Sequence, residues 1–133
     1  PDGLVGPEHY TLVEAPLDPH LAEGEALVEA AFWSVDPYMR IQQSRTPTYT
    51  LPHPLDAVQA GAVVGRVVAS RTAALAPGDW VEGPLGWQTH AKAHDSALRR
   101  LDPALAPPST ALGVLGMPGR TAWFGLMEAG RPK

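Results

Sequence analysis

No cysteine occurs in these 133 residues, which excludes disulfide cross-links, thiolate nucleophiles and any zinc site built on sulfur. Basic charge is also scarce. Ten Lys and Arg stand against fourteen Asp and Glu, for a net charge of −4. They form no basic cluster or stripe, so nucleic acid is not an expected partner. A long apolar run is missing as well. The longest stretch without a charged residue, 103–119, is interrupted by Pro103, Pro107, Pro108 and Pro118. It can neither cross a bilayer as a regular helix nor act as the apolar part of a secretion signal. The expectation is a cytoplasmic chain that uses neither membrane nor nucleic acid. Its first residue is Pro1 and its last is Lys133, and neither end reads as a natural terminus.

What the sequence does contain is punctuation. Fifteen prolines and thirteen glycines break up short apolar runs, the pattern of many short strands rather than of a helical bundle. A chain of this length fits one domain and buries roughly two thirds of its unfolded surface, so a core needs no covalent staples. Strands are predicted over His9–Ala15, Ala26–Ser34, Ala60–Ala69, Asp79–Leu85 and Gln88–Ala93, with reversals at Gly24, Pro77-Gly78 and Gly83-Pro84. The fold class is mainly β, a small, partly open barrel with short helices. Pro37 suits a first helical turn and pushes Asp36 out of helical geometry, which predicts one short helix over Pro37–Gln43. Residues 44–57 carry three prolines and little periodicity and are expected to be a mobile loop. From Gly119 to Ala129 there is no proline. Ala122, Trp123, Leu126 and Met127 fall at helical spacing, with Gly130 placed as a C-terminal cap. That helix has an apolar face in need of a partner.

Several motifs have plain structural readings. The run from Gly61 to Gly65 lacks the G-x-G-x-x-G order, and Gly113 to Gly119 has no following Lys-Ser/Thr, so neither is a phosphate cradle. The first is read as close backbone approach within a twisted strand. His90 and His94 stand four apart in a segment that reads as strand, where that spacing separates them by roughly 13 Å. They are not a metal pair, and no metal site is assigned. Asp36, Tyr38 and Arg40 read from residue types alone as a helix cap, half-buried packing and a solvated charge. Trp87, after a Gly/Pro bend, reads equally as a core aromatic.

Two segments change that balance. SVDPYMR at 34–40 and GVLGMPGRTAWFGLMEAG at 113–130, with VGPEHYTLVEAP near the start and PGDWVEG in the middle, resemble the zinc-independent branch of the medium-chain dehydrogenase/reductase superfamily. That group includes leukotriene B4 dehydrogenase, prostaglandin reductases and NADPH-dependent alkenal reductases. The resemblance implies a GroES-like catalytic domain over 1–112. It also implies a connecting segment and helix over 113–133 that lead into a nucleotide-binding Rossmann domain absent from this chain, making the chain a truncated part of an enzyme. Zinc alcohol dehydrogenases, which share the barrel, ligate zinc with a Cys at the SVDPYMR position and a His on the strand after the loop. Here Ser34-Val35-Asp36 and Ala60-Gly61-Ala62 stand in those regions.

By the same resemblance, Pro37, Tyr38, Met117 and Thr121 are the candidate contacts to NADP(H), which is bound mainly by the absent domain. Tyr38, Gly83, Pro84 and Trp87 are the candidate walls of the substrate pocket. Tyr38 is the only candidate catalytic group, and no acid is assigned beyond it. Arg120 departs from the apolar residue usual at its position in the family. The implied activity is reduction of the C=C bond of an α,β-unsaturated aldehyde or ketone by a metal-independent enzyme that is a homodimer when whole; the isolated chain is expected to be inactive. A quinone oxidoreductase, a polyketide enoyl reductase module and a stand-alone, non-catalytic β-barrel binding module are the alternatives.

Overall fold

A computed structural model describes residues 3–44 and 48–132. Five strands, β1 (Glu25–Trp33), β2 (Val63–Ser70), β3 (Trp80–Gly83), β4 (His90–His94) and β5 (Arg99–Leu101), form one sheet in the order β4-β1-β2-β3-β5. Every neighbouring pair is antiparallel. The sheet is open between β4 and β5, its two edges. Val28, Val63, Val67 and Val81 are buried on one side and cluster with Leu75, Leu85 and Ala91. Each such side chain contributes on the order of 1.5–3 kcal/mol through removal from water. Among the described residues no helix is long and apolar enough to cross a membrane.

Four predicted strands are present with shifted ends: β1, β2 and β4 each run one residue past the predicted bounds at one end and stop short at the other, and β3 is shorter at both. The third stops at Gly83 because Pro84 has no N–H to give a ladder. The reversal between β2 and β3 is a type II turn, with Pro77 as its second residue and Gly78 at φ +95° as its third. It is closed by the Asp79 N–H on the Ala76 carbonyl at 3.0 Å. β1 and β2 pair with two register breaks, between Leu27 and Val28 and between Ala30 and Phe32. The second leaves Ala31 unpaired, and beyond it Phe32 and Trp33 are both exposed on the sheet.

Helix α1 (Pro37–Gln42) starts where proline chemistry places it. Residues 48–57 of the expected loop contain no helix or strand, and its residues 45–47 lie outside the described ones. α2 (Met117–Phe124) continues into a π-helix over Gly125–Gly130. Every residue from 120 to 132 is exposed, Trp123 at 62 % and Phe124 at 59 %, so the expected apolar face is bare in the chain as it stands.

Three expectations fail. His9–Ala15 is not a strand. A 3-10 turn over Pro7–His9 gives way to irregular chain, in which Leu12 is 93 % exposed. Its alternation buries no face, so nothing offsets the cost of ordering a ladder. Residues 3–24 instead form a strap pinned by side chains: Arg40 Nη2 donates to the Gly3 carbonyl at 2.9 Å, Lys92 to the His20 carbonyl at 2.8 Å, and Arg71 to the Leu21 carbonyl at 3.1 Å. Second, β5 was not foreseen. Its two arginines pair backwards onto β3 and the turn before it, Arg99 with Glu82 at 3.1 Å and Arg100 with Asp79 at 2.9 Å. Third, the terminal cap lies at Arg131, not Gly130. Arg131 takes φ +46° and its N–H bonds to the Leu126 carbonyl five residues back, because the π-turn lengthens the end of the helix by one residue.

At Gly65 β2 lies so close to β1 that a Cβ there would fall on the Glu29 carbonyl oxygen. Gly65→Ala should therefore lower the midpoint of urea unfolding by an amount equivalent to more than about 2 kcal/mol. Gly125→Ala, where a Cβ meets nothing within 4 Å and φ is −59°, should be neutral or stabilising by up to about 1 kcal/mol. Equal midpoints for the two variants would contradict this packing.

Candidate active site

The site is built from the end of β1. Ser34, the next residue, is 6 % exposed. Its N–H donates to the Ala62 carbonyl at 2.8 Å, and its Oγ accepts from the Ala62 N–H at 3.1 Å. Its carbonyl accepts from the Trp87 indole N–H at 3.0 Å. The chain leaves this clamp with Asp36 extended at φ −116° and ψ 147° as N-cap of α1, and with the Asp36 N–H directed at Met39 Sδ at 3.5 Å. Tyr38 follows in the first turn, while Met39, 4 % exposed, anchors the helix.

A cleft of about 300 Å³ opens beside Tyr38. Ser34, Asp36, Ala62 and Glu82 line it together with Met117 and Pro118 from the start of α2. The approach to α2 is a chain of tight turns, with the Leu115 N–H on the Thr110 carbonyl at 2.9 Å and the Gly116 N–H on the Gly113 carbonyl at 3.0 Å. A Cβ at Gly116 would land on the Ala111 carbonyl oxygen, so that glycine serves backbone packing, a role expected from the sequence only for Gly61 and Gly65. Glu82 is engaged by Arg99. Burial raises the Tyr38 hydroxyl above its ordinary pKa of 10.0, and the negative charges of Asp36 and Tyr49 act in the same direction. Tyr38 therefore holds its proton throughout the neutral range.

Of the residues singled out from the sequence, the cleft unites Tyr38 and Met117. Pro37 is exposed at the first position of α1. Thr121 is exposed one turn into α2, where its hydroxyl donates to the Met117 carbonyl at 2.9 Å. Gly83 is buried against the turn before β5, since a Cβ there would meet Leu98 Cδ2 at 2.8 Å and the Ala97 carbonyl at 2.9 Å. Pro84 is exposed. None of these four lines the cleft. Trp87 lines a second cleft of about 450 Å³ on a different face of α1, and Asp36 borders both. Arg40, expected to be a solvated charge, ties the strap to α1. The sequence reading missed Ser34, Ala62 and Glu82. Ser34 had a signal, because it occupies the first place of the motif that identified the segment. Ala62 and Glu82 had none, since Ala62 is brought in by its hydrogen bonds to Ser34 and Glu82 by the pairing of β3 with β2.

The family described as the N-terminal domain of oxidoreductase matches residues 1–101. The NADPH-dependent curcumin reductase of Escherichia coli (strain K12) is 40% identical over 133 residues, 100% of this chain and 38% of that protein. Prostaglandin reductase 1 of Rattus norvegicus is 42% identical over 113 residues, 83% of this chain and 32% of that protein. The crystal structure of CurA from Vibrio vulnificus matches with a TM-score of 0.90 at 38% identity, and its complex with NADPH with 0.88; each comparison covers 100% of this chain and 39% of the other. The chain thus spans well under half the length of the relatives it matches. Its sequence and its fold agree on one assignment: the chain belongs to the zinc-independent branch of the medium-chain dehydrogenase/reductase superfamily and corresponds to the N-terminal part of those oxidoreductases.

Proposed function

We propose that this chain forms the substrate-side, GroES-like part of an NADPH-dependent, metal-independent reductase of the C=C bond of α,β-unsaturated aldehydes or ketones. The observation that carries this reading is the single cleft in which a protonated Tyr38 stands with Met117 and Pro118, in a chain whose relatives include an NADPH-dependent curcumin reductase. In this reading residues 1–112 form the substrate domain, and 113–133 lead into a nucleotide-binding domain that covers the bare face of α2. The whole enzyme is a cytoplasmic homodimer.

The residues present fit a nicotinamide. Met117 is the first residue of α2, so its N–H has no intrahelical acceptor and can meet a carboxamide oxygen. Thr121 stands outside the cleft, one turn along α2, with its hydroxyl proton spent on Met117, so its lone pairs could meet a carboxamide NH₂ only at the rim. NADPH, when bound, supplies the hydride. Tyr38 donates a hydrogen bond to the carbonyl oxygen of the enone, where negative charge gathers as the β-carbon is reduced. Ser34 and Trp87 fix the entry to α1 and so fix where that hydroxyl points. With no cysteine in the sequence and no clustered His, Asp or Glu among the described residues, polarisation of the carbonyl falls to hydrogen bonding.

The hydroxyl can be read directly. Absorbance at 295 nm during alkaline titration should show a component above the usual range that disappears in Tyr38→Phe. Asp36→Asn should lower that component without returning it to 10, because burial is the larger cause. A Tyr38 that titrates at or below 10 contradicts the environment described for it.

The activity needs a cofactor half. Alone, the chain should bind NADPH weakly and leave an enone unreduced, because its glycine segments provide no pyrophosphate cradle. Grafted in place of the matching part of the E. coli curcumin reductase, it should give a chimera that oxidises NADPH with 3-nonen-2-one and keeps doing so after dialysis against a strong chelator. Tyr38→Phe in that chimera should lower kcat and kcat/KM together by at least about tenfold. A folded chimera that binds NADPH and reduces no enone overturns the proposal.

A further inference from the structure

The second cleft holds an unspent hydrogen-bonding pair. Its walls include Val5, Val35, Met39 and Trp87, and its polar lining is Tyr10 from the strap with Asp36, Arg40 and Gln43 from α1 and its two ends. The orientation of the amides there is fixed by a chain of contacts. Gln59, 9 % exposed, donates from Nε2 to the Ala60 carbonyl at 3.0 Å and accepts on Oε1 from Gln43 Nε2 at 3.0 Å. Gln43 Nε2 also donates to the Tyr10 hydroxyl oxygen at 2.6 Å. Flipping Gln59 would set its oxygen against the Ala60 carbonyl, and flipping Gln43 would set two amide oxygens face to face. Both N–H groups of Gln43 are thereby used.

Two groups remain: the hydrogen of the Tyr10 hydroxyl and the Oε1 of Gln43. Neither has a partner among the described residues. One donor beside one acceptor is the complement of a hydroxyl group, which accepts and donates at a single atom. The adjoining wall favours a ring. Tyr10 and Trp87 lie 5.7 Å apart between centroids with a 32° tilt, a separation at which aromatic rings attract. Because the Trp87 indole N–H is spent on Ser34, Trp87 offers only its apolar surface. Asp36 and Arg40 border the same cleft with opposite charges, so neither an anion nor a cation is favoured. The cleft, about 450 Å³, opens broadly to solvent and has room for a single aromatic ring rather than an enclosed ligand.

We propose that this cleft is a binding site for a neutral phenolic group, held between the Tyr10 hydroxyl and the Gln43 carbonyl against the Trp87 ring. It is separate from the Tyr38 cleft, and the proposal does not rest on the reductase reading.

The test is NMR on the chain alone, without cofactor. The four tryptophans give four indole N–H signals, with that of Trp87 identified as the one lost in Trp87→Phe. Titration with 4-ethylphenol should shift that signal saturably. 4-Ethylanisole, which keeps the ring and the acceptor and lacks the donor, should bind about fivefold more weakly, the loss expected for one hydrogen bond. Gln43→Leu should bring the two probes to equal affinity. Should that variant fail to fold, the pair of titrations on the unaltered chain decides the matter. A Trp87 signal that does not move, or two probes of equal affinity on the unaltered chain, overturns the proposal.

Discussion

Everything near the proposed site depends on the way Ser34 ends the first strand. Its backbone and hydroxyl exchange two hydrogen bonds with Ala62, and its carbonyl takes the Trp87 indole proton. One buried residue thus joins the end of β1, the segment before β2 and the bend before β4. Removing its hydroxyl would leave the half-buried Ala62 N–H without its partner, a loss of about 1 kcal/mol. The consequence extends beyond stability. The chain leaves Ser34 in a fixed direction, Asp36 and Pro37 start α1 at a fixed place, and Tyr38 inherits its position from both.

How far the fold can be read from the sequence follows from how local each determinant is. The turn at Pro77-Gly78 and the start of α1 at Pro37 are decided by two or three adjacent residues, and both are where the sequence places them. The C-terminal end of β3 follows from Pro84 in the same way. The strand predicted over His9–Ala15 rested on alternation, which signals a strand only when one face finds something to cover, and Leu12 and Val13 find nothing. β5 presents the opposite case. Two consecutive arginines look like solvent-facing chain, and they hold an edge strand because Glu82 and Asp79 lie across from them. Those partners sit 17 and 21 residues earlier, beyond the reach of any local pattern.

The site divides along the same line. Tyr38 and Met117 were legible because each belongs to a contiguous motif whose backbone conformation the motif itself sets. Gly83, Pro84, Pro37 and Thr121 belong to the same motifs, yet a neighbour in sequence need not face the same cavity. Gly83 faces the turn before β5, and Thr121 bonds within its own helix. Glu82 reaches the cleft through strand pairing, opposite Val64, and Ala62 through its hydrogen bonds to Ser34; nothing in their own sequence announces it.

The two clefts are tied together by the shortness of the helix between them. Six residues of helix have no stability of their own, since nucleation costs more than so few hydrogen bonds return. α1 is therefore held by contacts on its flanks: Met39 in the core, Gln43 on Gln59 and Tyr10, Arg40 on the strap. Most of these belong to the second cleft, whereas Tyr38 faces the first. A longer helix could tolerate the loss of one flank. Here the contacts around Gln43 and Arg40 are part of what aims the Tyr38 hydroxyl, so the position of that hydroxyl is set from the opposite side of the helix that carries it.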